Sequence, residues 1–89
     1  MSEERVVLIT GSSSGLGEVL IKDFAKKGFG VVINYVVDDE AEAVEKQILE
    51  FADASKVMKY KASVSDRQAV RTMFDEIIAK FGRIDILIN

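Results

Sequence analysis

Thr10-Gly11-Ser12-Ser13-Ser14-Gly15-Leu16-Gly17 follows directly on the apolar run Val6-Val7-Leu8-Ile9. An apolar strand that enters a glycine-rich turn and leaves it as a helix presents backbone N–H groups to a phosphate. The helix adds roughly half a positive charge at its N-terminus. Gly11 suits the tight turn, Gly15 a close approach of the main chain to a ligand, and Gly17 the packing of the helix on the strand. These are the requirements of a phosphate-binding loop, and strand, loop and helix satisfy them together.

Working outward, short apolar runs begin at Val6, Val31, Val57 and Ile84, about 26 residues apart, with helical patterns between them. That interval is what β-α-β crossovers need, and it predicts a doubly wound parallel sheet covered by helices. Val6 to Ile9 and Val31 to Ile33 are continuously apolar, as strands buried on both faces must be. Val57-Met58-Lys59-Tyr60-Lys61-Ala62 alternates and predicts a sheet edge, whereas Ile84 to Ile88 reads as central.

The first helix is predicted from about Gly15 to Lys27, with Val19, Leu20 and Phe24 inward and Gly28 after its end. The second opens at Asp39 with a capping-box pattern and buries Ala41, Val44, Ile48 and Phe51. The third opens with Ser65-Asp66-Arg67-Gln68, buries Val70, Met73, Phe74, Ile77, Ile78 and Phe81, and closes at Lys80 and Gly82. With no proline and no low-complexity tract, residues 1–89 read as one unit.

Composition narrows the function. A net charge of −3 and a pI near 4.9 lack the excess of Lys and Arg that general nucleic-acid binding needs. Without cysteine there is no disulfide or thiolate chemistry, and without histidine little from which to build a transition-metal site. The acidic start Met1-Ser2-Glu3-Glu4-Arg5 is no signal peptide, and no apolar run approaches membrane-spanning length. A cytoplasmic location with no membrane partner is the expectation.

Thr-Gly-x-x-x-Gly-x-Gly at Thr10 to Gly17, with Phe81-Gly82-Arg83-Ile84-Asp85-Ile86-Leu87-Ile88-Asn89 at the other end, resembles the short-chain dehydrogenase/reductase family. Asn34-Tyr35 and Arg83-Ile84-Asp85-Ile86-Leu87 are most similar to its 3-oxoacyl-acyl-carrier-protein reductase branch. The resemblance implies a Rossmann-type sheet of strand order 3-2-1-4, built β-α-β-α-β-α-β. It further implies an oxidoreductase that moves a hydride between a nicotinamide cofactor and a small-molecule carbonyl or alcohol. Asp85 matches a family Asp, for which a structural role is favoured over a catalytic one.

Family members use a Ser, a Tyr and a Lys, with Tyr and Lys four positions apart on a helix, because the alkoxide formed must receive a proton. Here Tyr35 is followed at that distance by Asp39 and Tyr60 by Val64, so neither is that pair. Residues 1–89 therefore read as the N-terminal dinucleotide-binding part of a longer enzyme, inactive alone, with no catalytic residue among them.

Carried over position by position, Gly11, Ser13, Ser14, Gly15, Leu16 and Gly17 would cradle the pyrophosphate. Asn34 and Tyr35, with Val36, fall where the adenosine ribose is read; the plain alternative is a strand end packed on the next helix. No Asp or Glu stands there to accept from a ribose 2′-hydroxyl, so the cofactor leans toward NADP(H) over NAD. Ser14 and Val36 nonetheless stand where NADP-preferring relatives often place Arg or Lys, and Asp38 and Asp39 are close by. Ser63 and Val64 match the adenine-contacting pair, with Ser63 in place of the usual Asp, and Asn89 would sit beside the cofactor ribose.

Two other readings compete with this one. A non-catalytic nucleotide-binding regulator would keep the pocket without the chemistry. An epimerase or methyltransferase on a similar sheet fits less well, since epimerase relatives space their glycines Gly-x-x-Gly-x-x-Gly. Ile84, Ile86 and Ile88 beside an unpaired sheet edge predict a homo-oligomer.

Overall fold

The computed structural model describes residues 5–89. Among them four strands and three helices alternate: β1 (Val6–Ile9), α1 (Gly15–Lys26), β2 (Gly30–Tyr35), α2 (Asp38–Ile48), β3 (Val57–Lys61), α3 (Arg67–Phe81) and β4 (Ile86–Ile88). A 3-10 turn at Ala54–Lys56, without a signal in the hydrophobic pattern, leads into β3. All strand pairs are parallel, in the order β3-β2-β1-β4. Parallel neighbours cannot be joined by a tight turn, so each crossover carries a helix.

β1 sits between β2 and β4, with Val7 paired to Val31 and Ile86, Leu8 to Val32 and Leu87, and Ile9 to Ile33 and Ile88. Side chains alternate across a strand, so β1 feeds two cores. Val7 and Ile9 join Val31 and Ile33 beneath Ile21 and Ala25 of α1 and Val44 and Ile48 of α2. Val6 and Leu8 join Val32 on the opposite face, under Met73 and Ile77 of α3. This explains why the strand is apolar at every position.

Several details differ from the hydrophobic pattern. Val19 and Ile78 are exposed, because the buried positions of their helices are Ile21 with Ala25 and Met73 with Ile77, roughly 100° or 200° further round. Phe51 lies beyond α2, which ends at Ile48, and is about half exposed beneath the ammonium of Lys26, 5.7 Å from its ring centre. The α3 cap is Asp66, whose carboxylate accepts from the Ala69 N–H at 3.1 Å, because the Ser65 hydroxyl is turned to Ser63. α2 begins one residue earlier than predicted, at Asp38, and no side chain caps it; the Asp38 carboxylate pairs with Lys61 instead.

The last apolar run also differs. Its strand starts at Ile86 and pairs with β1, while Ile84 packs beneath α3 instead of extending the strand. Asp85 closes this junction as the structural reading expects. Its N–H donates to the Val6 carbonyl at 2.9 Å, and its Oδ2 accepts from the Val6 N–H at 2.8 Å. The Arg83 guanidinium grips the same carboxylate through Nε at 2.8 Å and Nη2 at 2.7 Å. Such a two-point, charge-assisted grip fixes direction as well as distance.

The Arg83 fork, followed by the Val6 N–H, holds the Asp85 carboxyl below its ordinary value. Its contribution to stability is thus complete above the ordinary carboxylate range and is lost as pH falls through the lowered folded value. Asp85→Asn is expected to lower stability at neutral pH and flatten the acid limb of a stability–pH curve; an unaltered acid limb would reject this. Ile77→Ala, at a fully buried position, is expected to cost about 2–5 kcal/mol in urea unfolding.

Candidate functional site

The glycine-rich loop joins β1 to α1 at the carboxyl end of the sheet, where successive strands step to β2 on one side of β1 and to β4 on the other. In open parallel sheets this switch in direction leaves the crevice where ligands bind. Gly11 (φ +64°) and Gly15 (φ +60°) hold the turn in left-handed conformations, and an added Cβ at either would meet no protein atom within 4 Å. Backbone shape, not crowding, demands glycine there. Gly17 is the reverse case: a Cβ would lie 2.7 Å from the Gly11 carbonyl oxygen and 3.0 Å from the Ser12 Cα. Its bareness therefore lets α1 close on the loop, rather than on the strand as the spacing had suggested.

The inner side of the loop is locked by Asn34, the penultimate residue of β2, which is almost fully buried. Its Oδ1 accepts from the Gly11 N–H at 3.1 Å, and its Nδ2 donates to the Ala62 carbonyl at 3.0 Å and the Met73 sulfur at 3.6 Å. Its backbone and Ser12 are doubly tied: the Ser12 N–H donates to the Asn34 carbonyl at 3.0 Å, and the Asn34 N–H to Ser12 Oγ at 3.2 Å. Asn34 is expected at the ribose, and it lies in the wall of the crevice beside Tyr35 and Val36, with both ends of its amide bonded to protein atoms.

The outer side is open. None of the amides from Ser13 to Gly17 is taken by a turn or cap bond among the described residues. Ser14 caps α1 in an extended conformation with its hydroxyl making no capping bond. Beside the loop lies a hollow of about 310 Å³, walled by Ser13 and Ser14, by Tyr35 and Val36, and by Ser63 and Val64 after β3. Val36 and Val64 are more than half exposed, as is Leu16 at the loop. Ser63 shares a hydrogen bond of 2.8 Å with Ser65, which shapes the turn before α3. On the other side of Thr10 a second hollow, about 420 Å³, is bounded by Leu87, Phe74 and Asn89. The Thr10 hydroxyl donates to Asn89 Oδ1 at 3.0 Å and holds it beside the loop.

A larger hollow of about 570 Å³ lies against α2, lined by Asp39, Glu42, Glu45 and Lys59. It has no glycine-loop amide in its wall, and Lys59 is bound to Glu45 at 3.1 Å, which raises the lysine pKa. Size alone does not make it the chemical site.

The fold thus gathers Gly11, Ser13, Ser14, Asn34, Tyr35, Ser63 and Val64 around one hollow and brings Asn89 to the loop from the other end of the chain. Two residues there were not foreseen. Ser12 is fully buried and acts as the loop's inner clasp. Glu40, in the first turn of α2, accepts from the Ser13 hydroxyl at 3.2 Å and lines the hollow. Its carboxylate reaches the loop only because α2 packs beside α1, which no local pattern encodes.

Comparison with known proteins places this geometry in context. The short chain dehydrogenase family profile matches residues 5–89. The chain is 43% identical over 88 residues to the BbsD subunit of a hydroxy(phenyl)methylsuccinyl-CoA dehydrogenase from Thauera aromatica, covering 98% of this chain and 34% of that protein. It is 33% identical over 90 residues to the 3-oxoacyl-(acyl-carrier-protein) reductase FabG of Staphylococcus aureus, covering 100% and 36%. Among solved structures, the 3-ketoacyl-(acyl-carrier-protein) reductase of Brucella melitensis complexed with NADH superposes with a TM-score of 0.82 at 38% identity, covering 97% of this chain and 34% of that one. The chain spans about a third of the length of these curated relatives. With the loop, the parallel sheet and the family profile in agreement over residues 5–89, the chain belongs to the short-chain dehydrogenase family of oxidoreductases.

Proposed function

We propose that residues 1–89 form the nicotinamide-dinucleotide-binding part of a short-chain dehydrogenase/reductase acting on a small-molecule carbonyl or alcohol, in the manner of the 3-oxoacyl-acyl-carrier-protein reductases. The observation that carries this is the set of unengaged amides from Ser13 to Gly17 at the carboxyl end of a parallel sheet. Hydrogen bonds to a charged group contribute about 1.5–3 kcal/mol each, so two or three outweigh the helix-dipole contribution of about 0.3–1 kcal/mol. Ser14, Gly15, Leu16 and Gly17 would hold the diphosphate, and Gly11 shapes the turn with its own N–H spent on Asn34. Tyr35 would meet the adenosine ribose, Ser63 and Val64 the adenine, and Asn89 the ribose on the nicotinamide side.

When bound, the cofactor supplies or accepts the hydride; the chain's own residues bind and orient it. Neither tyrosine is placed to protonate an alkoxide. Tyr35 ends β2 and Tyr60 lies within β3, and neither has a lysine four residues on. We therefore assign the proton-transfer step to a longer protein of which this chain supplies the cofactor half, and expect these residues alone to be inactive. A cytoplasmic site of action accompanies this reading.

Titrating the chain with NAD⁺ or NADP⁺ is expected to shift the amide resonances of Ser13 to Gly17 selectively; resonances unmoved by both coenzymes would overturn the reading. Asn34→Ala strands the Gly11 N–H and the Ala62 carbonyl. It is expected to cost about 1–3 kcal/mol in denaturant unfolding and to weaken coenzyme binding in parallel. Wild-type affinity in that variant would show that the lock does not set the loop's shape.

A further inference from the structure

We propose that Glu40 decides coenzyme choice in this pocket and that the chain selects NAD(H) over NADP(H); the proposal rests on the dinucleotide reading above. Glu40 is the one charged residue among those described that line the 310 Å³ hollow. Its carboxylate is anchored 3.2 Å from the Ser13 hydroxyl, directly before the amides assigned to the diphosphate. An adenosine ribose is a single carbon and ester oxygen away from that diphosphate, so a carboxylate fixed at the loop's edge stands within its reach. A carboxylate accepts hydrogen bonds from ribose hydroxyls and repels a phosphate carried on the 2′ oxygen.

Among the described residues that wall the hollow, no cation offsets this. Neither Lys nor Arg lines the hollow. Lys61, at the register position opposite Tyr35, is held by Asp38 at 3.3 Å. The positive end of α2 favours anions, but Asp38, Asp39 and Glu40 already fill its first turn. The lean toward NADP(H) drawn from Asn34, Tyr35 and Val36 is thus reversed: the acid missing from the strand end is supplied by the helix that follows.

The test measures NAD⁺ and NADP⁺ affinities of the 89-residue chain by calorimetry, with the loop amide resonances followed in the same samples. NAD⁺ is expected to bind about tenfold more tightly, the scale of one charge pair near a protein surface. Glu40→Gln should shrink that gap to about threefold or less, and Glu40→Arg should invert it. Glu40 is exposed, so neither change disturbs the core. Asp39→Asn removes the same charge one residue away, from a side chain facing the other hollow, and should leave the gap intact. Equal or tighter NADP⁺ binding, a gap that survives Glu40→Gln, or an equal effect of Asp39→Asn would each overturn the proposal. Binding of both coenzymes without preference removes this inference alone, whereas resonances unmoved by either remove the dinucleotide reading and this inference with it.

Discussion

β1 has no side that water reaches. With Val6, Val7, Leu8 and Ile9 all buried, it must be covered above and below, and a strand covered on both faces requires helices on both faces of its sheet. α1 and α2 meet the side of Val7 and Ile9, and α3 meets the side of Val6 and Leu8. Once the helices are divided this way, the chain must leave β1 toward β2 first and return later to β4 on the other flank. The crevice at the carboxyl end of β1 is a consequence of that division. The site is therefore an outcome of hydrophobic burial before it is an outcome of any ligand.

What turns a crevice into an anion site is the way the loop distributes its hydrogen bonds. Gly11 and Ser12 donate their amides inward to Asn34, and the Ser12 hydroxyl oxygen accepts from the Asn34 N–H. A buried amide left without a partner costs on the order of 1–3 kcal/mol, so Asn34 secures the half of the loop that water cannot reach. The half from Ser13 to Gly17 is left outward, where α1 begins. Asn34 also holds Ala62 and the Met73 sulfur. The loop, the end of β3 and α3 are thereby fastened to one side chain, and its buried polar network is fully partnered.

The architecture was legible because its signals are local. Strand spacing, apolar runs, helix-closing residues and the three loop glycines each report on a few neighbouring residues, and they agree on a parallel sheet with a phosphate-binding turn. Boundaries were less legible. Asp66 displaced Ser65 as the cap of α3, and Asp38 opened α2 without capping it, because each polar side chain had a competing partner in space. Ile84 to Ile88 read as one strand, yet only Ile86 to Ile88 pair, since Asp85 spends its groups on Val6 and Arg83.

The sequence by itself determined the sheet, its strand order through family resemblance, and the loop that presents amides, because each follows from periodicity or from residues adjacent in the chain. Tertiary structure alone decided which polar groups of that loop face inward and which carboxylate stands beside it. Asn34 and Gly11 are 23 residues apart, and Ser13 and Glu40 are 27 apart. A hydrogen bond acts over about 3 Å, and only the packing of β2 against β1 and of α2 beside α1 brings such distant residues within that range.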